Sequence, residues 1–452
     1  MGLVANRKSA RWLAVAVAAA TASALAGCAS SEGEGEAAGG SSGEPSGVVR
    51  VQVEASKLAG FEAVAAGFEE ANPKLTVEYE TITSDQKATT NGLTLASADA
   101  PDLGLAPINA TSYSQLLVGD ALLPLDDVWE SADLANRYDQ STVDSLAPNG
   151  TTPYSVVPEK QLYNIVYYNT DLFGQLGIPV PEERQLESAE DLYAITDALR
   201  AGGKEGLCIG GTSNYQFGWL FDGQLATSAD ADQLDAYLAS GQPDSEEVDY
   251  DDPAVVAALE AIQDWSDNGV FQAGVLGQNY DTALANFSAG TCGAILGTAT
   301  TVSALESNGV TFGVDWFLLP GVDGTTLPNM YTGSTLVIPK SASNPEGAKA
   351  FLEYLMSVEA QVAYVSENGT LPSVTDVDQG TLDEVLPELV NSVLSFVTEN
   401  GADLGWTSVV PGEMGQAFID PAIQRQINGD ATPKQTAAEL QENYLDFRAN
   451  NG

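Results

Sequence analysis

No histidine occurs in this chain, whereas Asp and Glu number 63 and Lys and Arg 17. The missing imidazole excludes every Ser-His-Asp or Cys-His mechanism and every His-ligated metal site. Carboxylate chemistry stays open. Two acids held ~5–9.5 Å apart could hydrolyse a glycosidic bond, yet no motif selects such a pair. No D-x-[DN]-x-[DN]-G loop with a Glu at its twelfth position is present, so no calcium site is read here, and no cofactor or metal is expected. Three polar loops are better placed to act: Glu54-Ala55-Ser56-Lys57, Thr81-Ile82-Thr83 and Pro107-Ile108-Asn109. Each follows a run of strand type, and ligands of open parallel α/β sheets bind beyond the carboxyl ends of the strands.

The elements that must position these loops are legible in the first hundred residues. Val48 to Val53 reads as a strand. Phe61, Val64, Ala65 and Phe68 mark one face of a helix that Asn72-Pro73 closes. Leu75, Val77 and Tyr79 alternate as a second strand, Ser84 to Ser97 as a helix, and Asp102 to Ala106 as a third strand. Strand–helix–strand–helix–strand predicts right-handed crossovers and a parallel sheet. At 452 residues there is chain enough for two lobes or domains. The net charge of −46 suits a solvated acidic surface and disfavours nucleic acid and anionic membranes as partners.

The N-terminus carries its own signal. Arg7, Lys8 and Arg11 precede an apolar run from Trp12 to Ala26 that is too short and alanine-rich for a comfortable membrane span. It ends in Leu25-Ala26-Gly27-Cys28, which resembles the bacterial lipobox, in which the cysteine is lipidated. An ordinary signal peptide with a chance cysteine is the alternative. Ala29 to Gly47 has no large apolar residue and reads as a flexible acidic tether. The mature thiols besides Cys28 are Cys208 and Cys292, each at or in an expected strand. Outside the membrane an even pair suggests a disulfide, with two buried free thiols as the alternative.

The stretch Tyr331 to Val374 reads as a glycine turn, a buried strand (Leu336-Val337-Ile338), two helices and a proline stop. Asn344 caps the first helix with Pro345 at its first position. Ala348, Phe351, Leu352, Leu355 and Met356 share one face. Ser357 caps the second helix and Gly369 ends it. This series resembles the segment of the family-1 extracellular solute-binding proteins, the sugar-binding receptors of ABC importers, in which the chain returns to its first lobe. The order of motifs along residues 48–452 is similar to that family as well. ADAPDL precedes the third strand and GDALLPLDD follows it. YYNTDLF is followed by GIPVP, and Phe287-Ser288-Ala289-Gly290 precedes the strand CGAIL.

The resemblance implies an α/β, two-lobed periplasmic-binding-protein-like fold of class II. Each lobe would be a mostly parallel sheet flanked by helices, with hinge crossings near Val157–Tyr163 and Asn329–Gly333. The corresponding boundaries are 1–27 for the leader, 28–47 for the tether, 48–158 with 329–372 for lobe one, and 159–328 with 373–452 for lobe two. It further implies a monomeric, non-enzymatic receptor on the extracellular face of the membrane, anchored only through Cys28. Such a receptor captures a carbohydrate, expected to be an oligosaccharide, and docks on ABC-transporter permease subunits. A lipid-anchored carbohydrate-active enzyme and a purely structural surface lipoprotein are the competing classes. Laid on the family's maltose-type receptors, Ser56, Lys57 and Asn109 fall on ligand-contacting loops of lobe one. Asn214, Tyr215 and Gln216 fall on the contact loop of lobe two. Thr298 to Thr300 stand where the family often has a tryptophan, so Trp406 or Trp219 is expected to supply the stacking face. Glu54, Gln161, Thr300, Tyr331 and Ser334 complete the candidate set.

Overall fold

The computed structural model describes residues 44–451 except 84–85, 88–89, 148–149, 182, 214, 242–244 and 332–334. The leader, Cys28 and the tether as far as residue 43 therefore lie outside the described residues, as do Asn214 and Ser334. In chain order the strands are β1 (Gly47–Glu54), β2 (Leu75–Ile82), β3 (Gly104–Leu105), β4 (Glu159–Asn169), β5 (Glu205–Cys208), β6 (Cys292–Thr298), β7 (Val314–Leu318), β8 (Asn329–Tyr331), β9 (Leu336–Val337), β10 (Leu371–Pro372) and β11 (Asp403–Leu404). Among the described residues no helix is long and apolar enough to cross a membrane.

The elements expected from Val48 onward recur, with the third strand shortened to Gly104–Leu105 and the helix expected over Ser84 to Ser97 described at Asn91–Leu95. β1 runs parallel to β2 from Gly47↔Leu75 to Glu54↔Ile82. A parallel bridge, Val51↔Leu103, ties β1 to β3, and β3 lies antiparallel to β9. Val49, Val51 and Val53 are fully buried under the helix Leu58–Ala71, whose inward residues are Phe61, Val64, Ala65 and Phe68. The returning stretch supplies the other cover. Asn344 accepts the Gly347 amide at 3.1 Å to start the helix Pro345–Leu355. Ser357 accepts the Ala360 amide to start Val358–Asn368, which Gly369 closes at φ +61°, a conformation that disfavours any side chain. Phe68 meets Phe351 edge-on at 5.1 Å and Phe61 meets Tyr364 likewise at 5.1 Å. These contacts hold the helices Pro345–Leu355 and Val358–Asn368 against the helix Leu58–Ala71.

The second sheet departs from the expected mostly parallel arrangement. β5 is parallel to β6 and β11 to β8, but β4 is antiparallel to β6, β7 and β8. The reason is geometric. β4 is an 11-residue strand that starts beside the first lobe, paired antiparallel with β10 through Lys160↔Leu371 and Glu159↔Pro372. It then runs on into the second sheet, so its direction is set by where it comes from. A register shift between Tyr163 and Ile165 marks the passage, with Asn164 at φ +63°. Such a bulge bends the strand and re-aims its side chains.

The C-terminal portion is helical and packs in more than one place. The helix Gln379–Val385 packs on the first-lobe helix Val358–Asn368. The helix Glu388–Asn400 packs on β7, where Trp316 donates to Ser392 at 2.7 Å and meets Phe396 edge-on. Residues 373–400 thus pack both on the helix Val358–Asn368 and on β7. Trp406, Val410 and Met414 enter the second core, as do the helices Gln416–Ile427 and Pro433–Asn451, through Ile419, Ile423, Leu440 and Tyr444. Cys208 and Cys292, both fully buried, are joined as a disulfide, as expected.

Candidate functional site

The ends of β1, β3 and β4 open toward one another where the lobes meet, and they bring a set of charges together. Lys57 Nζ lies 2.9 Å from Glu159 Oε1, with both side chains nearly inaccessible. Gln161 donates to the same Glu159 oxygen at 2.9 Å. Lys87 Nζ lies 2.9 Å from Glu54 Oε2. Tyr364 hydrogen-bonds Glu159, and burial followed by the charges of Glu159 and Glu54 holds its hydroxyl far above the ordinary tyrosine range. Tyr331 is pushed up in the same way, by burial first and then by Glu54 and Glu159. Glu54, Lys57, Phe61, Leu105, Pro158, Glu159 and Tyr364 enclose a cavity of about 10 Å³, the space of one water. With the lobes as close as this, the charges satisfy each other. A polyhydroxylated solute would have to substitute for those pairings.

A second surface is a run of aromatic rings borne by β4 and by the starts of the helices Gln216–Ser228 and Tyr280–Ser288. Tyr163 and Trp219 have centroids 5.0 Å apart, Trp219 and Tyr215 4.8 Å, and Tyr215 and Tyr280 6.5 Å. Trp219, Tyr215 and Tyr280 are half-buried. They therefore keep apolar area that a sugar's C–H face could cover.

Below the rings sits a buried acid. Asp222 accepts from Tyr163 Oη at 2.7 Å, from Thr407 Oγ1 at 2.6 Å and from the Thr407 amide at 2.8 Å. Burial pushes its carboxyl up to about 7, against the pull of those donors. Nearby, Asp420 accepts the Phe217 and Gly218 amides at the start of the helix Gln216–Ser228. Burial, with Asp222 as a like charge, holds Asp420 well above the carboxylate range. At the joint itself, burial lowers Lys160 to about 8 even though Asp139 is its ion-pair partner.

The sequence candidates fall into three groups. Glu54, Lys57, Gln161 and Tyr331 come together in the charged cluster, Ser56 is exposed beside it, and Tyr215 and Trp219 lie in the aromatic run. Asn109, in the loop after β3, donates to the Thr407 carbonyl, in the segment after β11, at 3.0 Å. Two candidates are corrected. Trp406 is 1% exposed, edge-on to Phe221 and Tyr250, and its indole N–H donates to the Tyr250 hydroxyl at 2.7 Å. It fills the second core and offers no stacking face. Gln216 is fully buried, with its amide spent on Leu296 and Gly210. Thr300 is half-buried at the start of the helix Thr301–Ser307, its hydroxyl bonded to that of Thr298 at 2.7 Å.

Sequence reasoning missed Lys87, Glu159, Asp222, Tyr280 and Tyr364. A signal existed for Asp222, a lone acid inside the apolar run FGWLFDGQL, where only a satisfied or neutral carboxyl is tolerated. Glu159 lies inside the expected hinge crossing but was not singled out. Among the described residues, no group of three or more Asp, Glu or Cys side chains is placed to hold a metal ion.

The sequence pattern of the bacterial extracellular solute-binding proteins matches residues 53–362. An uncharacterised ABC transporter extracellular-binding protein of Pyrococcus horikoshii is 21% identical over 385 residues, 82% of each chain. A xylose/arabinose-binding protein of Haloferax volcanii is 23% identical over 348 residues, 72% of this chain and 68% of that one. Among solved structures, a chitin oligosaccharide binding protein superposes with a TM-score of 0.72 at 18% identity. That superposition covers 89% of this chain and 99% of the other.

Proposed function

This chain belongs to the bacterial extracellular solute-binding proteins, and on that premise we propose that it captures a carbohydrate, an oligosaccharide, between its lobes and delivers it to an ABC-transporter permease. The observation that carries the reading is that the chain holds two kinds of surface. One is a cluster of mutually satisfied charges, Glu54, Lys57, Lys87 and Glu159; the other is the half-buried aromatic run Trp219, Tyr215 and Tyr280. Sugars need both, because their hydroxyls require polar partners and their C–H faces require apolar ones. Two of the similar proteins are named for sugars, a pentose pair in one and chitin oligosaccharides in the other. Glu54 and Glu159 are each tied to a lysine, which suits hydroxyl recognition better than acid–base work.

In this reading β4, the segment around β8 and the β10 return act as crossings between 48–158 with 329–372 and 159–328 with 373–452. The lobes close on the solute as rigid bodies, favoured only by the solute's tighter binding to the closed form. The mature protein is a monomer held to the membrane through Cys28. A thermal-shift screen of neutral mono- and oligosaccharides tests the reading, since a bound ligand raises the melting point by mass action. A screen in which amino acids, peptides or polyamines stabilise the protein and no sugar does would sink it.

A further inference from the structure

This inference rests on the receptor reading and concerns what holds the lobes together. Asn109, in the loop after β3, donates its side-chain amide to the Thr407 carbonyl at 3.0 Å. Asn109 hangs from the first sheet. Thr407 lies in the turn of helix Trp406–Val409 that follows β11 of the second sheet. The bond therefore runs from lobe to lobe, at a place other than the crossing strands.

The acceptor is a main-chain oxygen, so its position depends on whatever seats the segment 405–408. Asp222 does this from below through the Thr407 amide at 2.8 Å and hydroxyl at 2.6 Å. Tyr163, on the crossing strand β4, bonds both Asp222 at 2.7 Å and Ser408 at 3.1 Å. The seat is tight. A Cβ on Gly405 would lie 1.6 Å from Tyr163 Oη and 2.8 Å from Asp222 Oδ2. Only a residue without a side chain lets the segment lie this close to the acid.

We propose that Asn109 and the Gly405–Ser408 segment form a latch that closes the lobes on each other without solute, with Asp222 and Tyr163 as its positioning residues. The latch gives the empty receptor a standing closed population. Apparent affinity scales with the fraction of molecules competent to bind, so the latch tunes capture by shifting the closed-to-open ratio.

Small-angle scattering of the full chain without any solute tests this, well below the melting temperature. Asn109→Ala removes the donor, and one hydrogen bond corresponds to a loss of about five- to tenfold in the closed-to-open ratio. The radius of gyration should rise accordingly, and Asn109→Gln, which keeps a donor, should recover part of it. Thr407→Ala and Tyr163→Phe each remove one support of the seat and should expand the protein in the same direction by less. They also stand in should Asp222→Asn fail to fold. An Asn109→Ala protein with an unchanged radius overturns the latch, whatever its melting point. Because no solute is present, this outcome is separate from the sugar screen.

Discussion

Asp222 makes the stability of this protein depend on pH in an unusual direction. Its carboxyl is fully buried in the second lobe and is pushed from the ordinary 3.8 up to about 7 by burial. The unfolded chain releases this proton near pH 4, whereas the folded protein holds it to about 7. Folding thus takes up a proton between those values. The stabilisation is fully present below pH 4, is lost progressively as pH rises to 7, and is constant above. At 1.36 kcal/mol per pKa unit, the shift corresponds to roughly 4 kcal/mol, an order-of-magnitude ceiling. Asp222→Asn removes the titration and keeps an acceptor for the Thr407 amide. Its stability relative to the unmutated protein should therefore improve by up to ~4 kcal/mol between pH 4 and pH 8. Asp403, raised by burial, is common to both proteins and cancels in the difference, whereas Asp420 loses the like charge of Asp222 in the variant, which acts in the same direction. Urea denaturation of both proteins at unit steps of pH measures it. A stability difference that stays flat to within about 0.5 kcal/mol over that range would refute the assignment.

The remaining predictions concern packing, pairing and anchoring. Lys57→Ala strands Glu159 as an uncompensated acid and should cost about 3–5 kcal/mol, with Glu159→Gln in the same chain recovering most of it; denaturant midpoints of the double-mutant cycle measure both. Trp406→Ala opens a core cavity and should cost about 3–5 kcal/mol of stability, whereas Trp219→Ala should weaken sugar binding by about 1–3 kcal/mol and leave the melting point nearly in place. Replacing Cys208 and Cys292 together by Ser should cost about 2–4 kcal/mol, read as a lower denaturant midpoint that a reducing agent no longer shifts. Cys28→Ala should leave the protein unprocessed or release it from the membrane fraction. Correct cleavage with continued anchoring would refute the lipid anchor.

The first lobe was readable because its signals are local. Val49, Val51 and Val53 alternate on one strand, Phe61 to Phe68 mark one helix face, and Asn344, Ser357 and Gly369 sit at the helix ends where their chemistry is required. The second lobe hides its direction. A buried strand such as β4 presents an apolar run whichever way its neighbours point, so the pattern cannot distinguish a mixed sheet from a parallel one. The residues after Val374 were likewise readable as helices, but which lobe they cover depends on partners far away in sequence, such as Trp316 for Ser392.

The site was half legible for a related reason. Loops at strand ends can be located from the strands, so Glu54, Lys57 and Asn109 were found. Their partners come from elsewhere in the chain: Glu159 lies 102 residues from Lys57, and Thr407 lies 298 residues from Asn109. The tryptophans show the limit most clearly. Trp219 and Trp406 both follow a glycine in an apolar stretch, and each can stack or fill a core. Their roles separate only through Tyr250, which meets Trp406 edge-on and accepts its indole N–H at 2.7 Å. An indole whose N–H is satisfied inside a closed core has no reason to face a cleft. Trp219 lies instead between Tyr163 and Tyr215 and keeps part of its ring in reach of solvent. What decides between binding and packing is thus the location of the polar partner for the one polar atom on the ring.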